Sequence, residues 1–229
     1  MKPHDFWQRI DPPQSSAPEQ SYADGYPAEF GDGRRLLLPI RPLADGEQAL
    51  ASLIINQASF EVVDALAASL AEKLAAFRPD IVVGLPTLGL TLASAVAQKL
   101  GHRRYVPLGA SRKFWYQEAL SVPLSSITSS EQQKRLYVDP RMLSLLSQSR
   151  VALVDDVIST GTSISAGLRL LAVCGVEPVV IGAAMLQSDR WKHGPNAIGP
   201  AWVERTIGVL RSPILKRTSD GRWRDSEGR

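Results

Sequence analysis

Residues 151 to 163 read Val-Ala-Leu-Val-Asp-Asp-Val-Ile-Ser-Thr-Gly-Thr-Ser: an apolar run, two adjacent carboxylates, then a loop of small hydroxyl side chains around a glycine. The pattern predicts a strand followed by the first turn of a helix, where unpaired backbone N–H groups and the helix dipole favour a phosphate. Ser159, Thr160, Thr162 and Ser163 would add hydroxyls to that turn, and Gly161 would let the backbone come close to a ligand. Asp155 and Asp156 cannot hold a phosphate themselves. Set about one sugar's length away, they are suited to accept hydrogen bonds from vicinal hydroxyls. The ligand implied is a phosphorylated sugar. The plainer alternative, a capped helix after a strand, needs one hydroxyl at the N-cap, whereas this loop carries four.

A second loop has related character. Residues 84 to 91 read Gly-Leu-Pro-Thr-Leu-Gly-Leu-Thr between an apolar run and a helical pattern. They nearly spell the Walker A pattern GxxxxGK[ST], but Leu90 stands where the lysine that meets the β- and γ-phosphates belongs. A nucleoside-triphosphatase would thus lack its central charge. Taken alone, the loop could also be an ordinary Pro-Gly turn.

The elements that must position these loops follow from periodicity. Val62, Val63, Leu66, Leu70, Leu74 and Phe77 form one stripe of a helix over 59–77. Ile81 to Leu85, Tyr105 to Leu108, Val151 to Val154 and Val179 to Ala184 are short apolar strands, with further helices over 90–100 and 163–173. In the segment RRLLLPI, Pro39 places any strand at an edge or ends it. Wholly apolar strands alternating with helices predict an α/β fold, a doubly wound, mainly parallel sheet flanked by helices. Ligands of such sheets bind at the carboxyl ends of the strands, where both loops lie.

The stretch 151–163 resembles the phosphoribosyl pyrophosphate (PRPP) binding motif of the type I phosphoribosyltransferases: four apolar residues, two acidic ones, then a Thr-Gly-Thr type loop. Its doubled aspartate is closer to orotate-type and general members than to purine enzymes with Glu-Asp. The resemblance implies that Ser159, Thr160, Gly161, Thr162 and Ser163 hold the 5′-phosphate, while Asp155 and Asp156 engage the ribose hydroxyls. By position, Leu85, Pro86, Thr87, Leu88 and Gly89 would supply donors to the pyrophosphate. A closing loop at about 109–140 would bring Arg112 and Lys113 to the departing pyrophosphate, excluding water and offsetting its charge. The family further implies Mg2+, bridging substrate oxygens, with Asp155 and Asp156 as candidate protein contacts. It also implies a homodimer, a nitrogen nucleophile such as a nucleobase as acceptor, and a base-binding hood from one end of the chain. Residues 1–49 and 191–229 are the hood candidates, with Trp7, Tyr22, Tyr26 and Phe30, or Trp191, Trp202 and Trp223, as possible stacking partners. Neither end carries the base signature of a hypoxanthine-guanine, adenine, uracil or orotate enzyme, so the acceptor is open. A non-catalytic PRPP sensor of the same fold is the alternative; the absence of an evident helix-turn-helix module and the Arg112-Lys113 pair speak against it.

Composition bounds the rest. With 229 residues, 44% hydrophobic and 21% charged, the chain can bury a full core, here placed at 50–190. The net charge of +3 permits an anionic partner without requiring one. Arginines from Arg205 to Arg229 read as a solvated face, and nucleic acid is not an expected partner because no stacking platform accompanies them. The first thirty residues lack a regular period and read as an arm or lid. No run reaches the roughly 18 apolar residues of a membrane span. Cys174 is the single cysteine, and His4, His102 and His193 show no metal-ligand spacing, so the expected setting is the cytoplasm with no protein-held structural zinc.

Overall fold

The computed structural model describes residues 2–13, 21–124, 134–194 and 196–226. In chain order the first strands are β1 (Gly25–Glu29), β2 (Arg35–Pro42), β3 (Gln48–Ala51), β4 (Ile81–Gly84), β5 (Val106–Pro107) and β6 (Ser121–Pro123). They are followed by β7 (Arg135–Tyr137), β8 (Val151–Ile158), β9 (Val180–Gln187), β10 (Thr206–Ser212), β11 (Ile214–Arg217) and β12 (Trp223–Asp225). The helices are α1 (Phe60–Ala75), α2 (Gly89–Lys99), α3 (Leu143–Leu146), α4 (Thr162–Val173), α5 (Arg190–His193) and α6 (Pro200–Glu204).

The central sheet has the order β5-β4-β8-β9-β10, with every neighbouring pair parallel. Its strands alternate between two cores. Val82, Ala152, Val154, Val180 and Ala184 pack with Leu66, Leu70 and Leu74 of α1 and Leu92 and Val96 of α2. Ile81, Val83, Val151, Leu153 and Ile181 pack with Ile164, Leu170 and Leu171 of α4. Helices therefore cover both faces, as apolar strands without a polar side require. From β4 the chain winds outward to β5; from β8 it winds the other way through β9 to β10. The switch point between β4 and β8 is where such sheets open a crevice for ligands.

One strand runs further than its apolar core suggests. β8 continues through Asp155 and Asp156 to Ile158, with Asp155 opposite Ala183 of β9. Backbone pairing to β9 carries the strand onward where side-chain polarity alone signals a loop.

The two ends of the chain meet in a second sheet of order β1-β2-β3-β11-β12, whose pairs are antiparallel. This corrects three expectations. The N-terminal thirty residues are not simply an arm: Phe6, Trp7, Ala28 and Phe30 are buried, and the Trp7 indole donates to the Ser52 carbonyl at 2.9 Å. Pro39 lies inside β2, an interior strand, at the handover where pairing passes from β1 (Gly25 opposite Pro39) to β3 (Ile40 opposite Ala51), so its missing N–H interrupts no continuous ladder. The segment from Arg205 onward is not a solvated face, because β10 closes the central sheet and Leu210, Leu215 and Trp223 are buried while Arg211, Lys216 and Arg224 point outward. The sheets are joined where Gln187, the last residue of β9, donates to the Ala51 carbonyl at 2.7 Å. β10 also leads into β11 after one residue, so the terminal sheet adjoins the carboxyl edge of the central one. Among the described residues, no helix is long and apolar enough to cross a membrane.

Candidate functional site

The two aspartates occupy the carboxyl half of β8. Asp155 is buried, and its Oδ1 accepts the Asp156 backbone N–H at 2.9 Å; Asp156 is half-buried. Burial pushes the Asp155 carboxyl well above the usual carboxylate range, and the neighbouring Asp156 charge adds to that shift. Burial raises Asp156 as well, against hydrogen bonds that favour its ionised form. Such a pair favours whatever relieves its charge, either hydrogen-bond donors such as vicinal hydroxyls or a cation. Among the described residues no cluster of three or more His, Cys, Asp or Glu side chains could form a protein cage for a metal. Two adjacent carboxylates do fit a hard ion that keeps most of its coordination for water and phosphate oxygens.

The loop at 159–163 turns from β8 into α4. Gly161 occupies the N-cap with φ at 86°, the left-handed region that glycine enters without strain. Its role in packing is clearer than any approach to a ligand: a methyl group there would lie 2.6 Å from the Asn196 carbonyl oxygen. The Thr160 and Thr162 hydroxyls are 3.0 Å apart. No side chain caps α4, nor α2 at Leu88, whereas α1 is capped by Ser59 Oγ accepting the Val62 N–H at 3.2 Å. Among the described residues, the hydroxyls at 159–163 are thus not consumed as helix caps, and both site helices open without a side-chain cap over their first N–H groups.

The loop at 85–89 lies beside it. Leu85 is a core residue whose N–H donates to the Val154 carbonyl at 2.9 Å; Pro86 and Leu88 are half-buried, and Thr87 is exposed. The Pro86–Thr87 peptide is cis. Gly89 opens α2 directly against the aspartates, where a methyl group would lie 2.6 Å from Asp155 Oδ1 and 3.0 Å from Asp155 Cα. That contact brings both loops together at the switch point.

Arg112 and Lys113 follow β5 at the same carboxyl edge and are exposed. The Arg112 guanidinium lies 4.0 Å from Glu118, and the Lys113 carbonyl accepts the Tyr116 N–H at 3.0 Å. Among the described residues, no hydrogen bond or ion pair joins either cation to the aspartates or to 159–163. Their segment is anchored from behind: the Trp115 indole donates to Asp139 Oδ2 at 3.1 Å, and the Arg141 guanidinium stacks 5.0 Å over the Trp115 ring. Arg141 bonding holds the Asp139 carboxyl far below the usual range. β6 and β7 pair antiparallel within the expected closing loop, and its portion 125–133 lies outside the described residues.

The segment after β9 escaped sequence reasoning. Arg190 Nη2 donates to Ser159 Oγ at 2.8 Å, Ser165 Oγ donates to the Asn196 carbonyl at 3.1 Å, and Trp191 is buried against the same loop. A polar run following an apolar strand at the binding edge was the available signal. The expected aromatic platforms are mostly core: Trp7, Phe30, Trp191 and Trp223 are buried, Tyr22 and Tyr26 meet edge to face, and Arg205 stacks on Trp202.

A five-stranded parallel sheet with two donor-rich loops at its switch point defines an α/β ligand-binding protein, and comparison with known proteins narrows the class. Residues 50–197 match the family model described as "Phosphoribosyl transferase domain", and the chain belongs to that family. It is 30% identical over 199 residues to the adenine phosphoribosyltransferase of Frankia casuarinae, covering 84% of this chain and 97% of that protein. It is 34% identical over 130 residues to an adenine phosphoribosyltransferase of a Synechococcus species, covering 57% of this chain and 69% of that one. The crystal structure of adenine phosphoribosyltransferase from Rhodothermus marinus superposes with a TM-score of 0.55 at 21% identity, over 76% of this chain and 94% of that one. That last likeness concerns the fold alone, and it agrees with the doubly wound sheet expected from sequence.

Proposed function

We propose that the protein is a PRPP-dependent phosphoribosyltransferase acting in nucleobase salvage. A ring nitrogen of the base attacks the anomeric carbon of PRPP, the bond from that carbon to the pyrophosphate oxygen breaks, and pyrophosphate leaves with the electron pair. The nitrogen loses its proton. The observation that carries this reading is the Gly89–Asp155 contact, which unites the two loops whose helices open without side-chain caps. In this reading the 159–163 loop takes the 5′-phosphate, and Asp155 and Asp156 accept hydrogen bonds from the ribose hydroxyls. Backbone donors from 85–89, with the exposed Thr87 hydroxyl, take the pyrophosphate. Arg112 and Lys113 meet the charge developing on the leaving group when their segment closes. Mg2+, held by Asp155 and Asp156 together with substrate oxygens, would supply Lewis-acid stabilisation of that charge.

The relatives' names favour a purine as acceptor, adenine first. The doubled aspartate is closer to orotate-type and general members than to those purine enzymes that carry Glu-Asp, so the acceptor is best decided by a panel of bases. The phosphate loop has a direct test. Thr160 is exposed and, among the described residues, its hydroxyl meets that of Thr162 alone, so Thr160→Val should leave thermal unfolding unchanged while weakening PRPP binding about tenfold in a calorimetric titration. Equal affinity in the variant would remove the loop from the site.

A further inference from the structure

We propose that Arg190 is a cationic arm of the phosphate site, binding the same phosphate group as the 159–163 loop and joined to that loop through Ser159. The inference rests on the reading of 159–163 as a phosphate loop, and extends it to a residue on a different strand connection. Arg190 is the first residue of α5, just beyond β9, the strand that pairs with β8. Its guanidinium turns back across the sheet edge, donating from Nη2 to Ser159 Oγ at 2.8 Å and from Nε to Ser188 Oγ at 3.3 Å.

Those acceptors are neutral. Lys192, two residues on, has a carboxylate partner in Asp189 at 2.6 Å. Among the described residues no carboxylate comes within 4.0 Å of the half-buried Arg190 guanidinium, whose hydrogen bonds are partly met but whose charge is not. A partly desolvated charge without a counter-charge is costly to keep, and an anionic ligand supplies the missing partner. The geometry of Ser159 fits as well. A serine hydroxyl has one donor and two acceptor positions, so accepting from Arg190 leaves its O–H hydrogen to point at a phosphate oxygen.

The arm is also fixed in place. Trp191 beside it is buried and donates to the Ser188 carbonyl at 2.9 Å, and the Asn196 carbonyl accepts from Ser165 on the first turns of α4. Gly161 leaves no room between the two segments, since an added methyl would lie 2.6 Å from the Asn196 carbonyl oxygen. A planar guanidinium held this way can bond two oxygens of one phosphate, which an ammonium cannot do.

The test is calorimetric titration of ribose 5-phosphate, and separately of pyrophosphate, onto the full chain and its Arg190→Gln, Arg190→Lys and Thr160→Val variants. Expected is a loss of about tenfold or more in ribose 5-phosphate affinity for Arg190→Gln, partial recovery in Arg190→Lys, and pyrophosphate affinity within about twofold of the parent. Parent-like ribose 5-phosphate binding by Arg190→Gln, with Thr160→Val weakened, would overturn the arm and leave the loop standing. Equal losses for both ligands, with a lowered Tm, would assign Arg190 to structure and also overturn the proposal. If the parent chain fails to bind ribose 5-phosphate, or Thr160→Val binds it normally, the loop reading itself falls and takes the arm with it.

Discussion

At the scale of single residues, Asp155 shows a functional group held at a cost to the fold. Its carboxyl is buried beside another aspartate, and both effects raise its pKa, so the sign of the pH dependence follows from linkage. Below its ordinary value of 3.8 the group is protonated in folded and unfolded chains alike, and no stability is at stake. As pH rises from there the unfolded chain ionises first, and the folded state loses stability until the raised folded pKa is passed. Asp155→Asn keeps an oxygen that can accept the Asp156 N–H and removes the charge. We expect it to raise Tm at pH 7 by about 2–4 °C, roughly 1 kcal/mol for a chain of this length, with the advantage vanishing below the ordinary carboxylate value. Turnover should fall on the order of 100-fold in the same variant. A Tm difference independent of pH would show that the buried charge is not what the substitution relieves. Arg190 makes the complementary case, a half-buried cation with no carboxylate partner among the described residues, whose charge a phosphate would balance.

At the scale of elements, the decisive relation is between the N-terminus of α2 and the middle of β8. Gly89→Ala places a methyl against Asp155 backbone and side chain, which must push the helix from the strand. We expect a loss of about 1–3 kcal/mol, read as a Tm lowered by roughly 2–10 °C, with PRPP affinity reduced; an unchanged Tm would mean that the contact is not tight. The helices and strands around this joint were legible in the sequence because each carries a clean period: the α1 stripe through Leu66, Leu70 and Leu74, and the wholly apolar 81–83, 151–154 and 180–184. Residues 155–163 stand out in the sequence for a different reason, since hydroxyls, glycine and paired carboxylates in one stretch have few structural uses. What failed were the places where partners outweigh local pattern. Asp155 and Asp156 stay in a strand because β9 lies alongside. Gly89 reads as part of a turn, yet its lack of a side chain serves Asp155, distant in sequence. Arg190 carries no local signal that sets it apart from the other arginines; its partner Ser159 lies 31 positions earlier and is brought to it by the fold.

At the scale of the whole molecule, the ends of the chain belong together in a way no local signal announces. β1 to β3 pair in sequence order, as do β11 and β12, but the β3–β11 pairing and the Tyr22–Trp223 bridge join the two ends, a partnership that neither end's local pattern carries. The alternation in β10 and β11, with Leu210 and Leu215 inside and Arg211 and Lys216 outside, was present but hidden under the count of arginines. The assembled terminal sheet adjoins the carboxyl edge of the central one, the edge that carries both loops, which is where a hood over an acceptor base would stand. Transfer of a phosphoribosyl group is the chemistry proposed for this edge. It is tested most directly by pyrophosphate release from PRPP with Mg2+ across adenine, hypoxanthine, guanine, uracil and orotate, with the Asp155→Asn/Asp156→Asn double variant as the blank. Release that depends on one base, most strongly a purine, and disappears in the blank is the expected result; no release above the blank with any of the bases would contradict it.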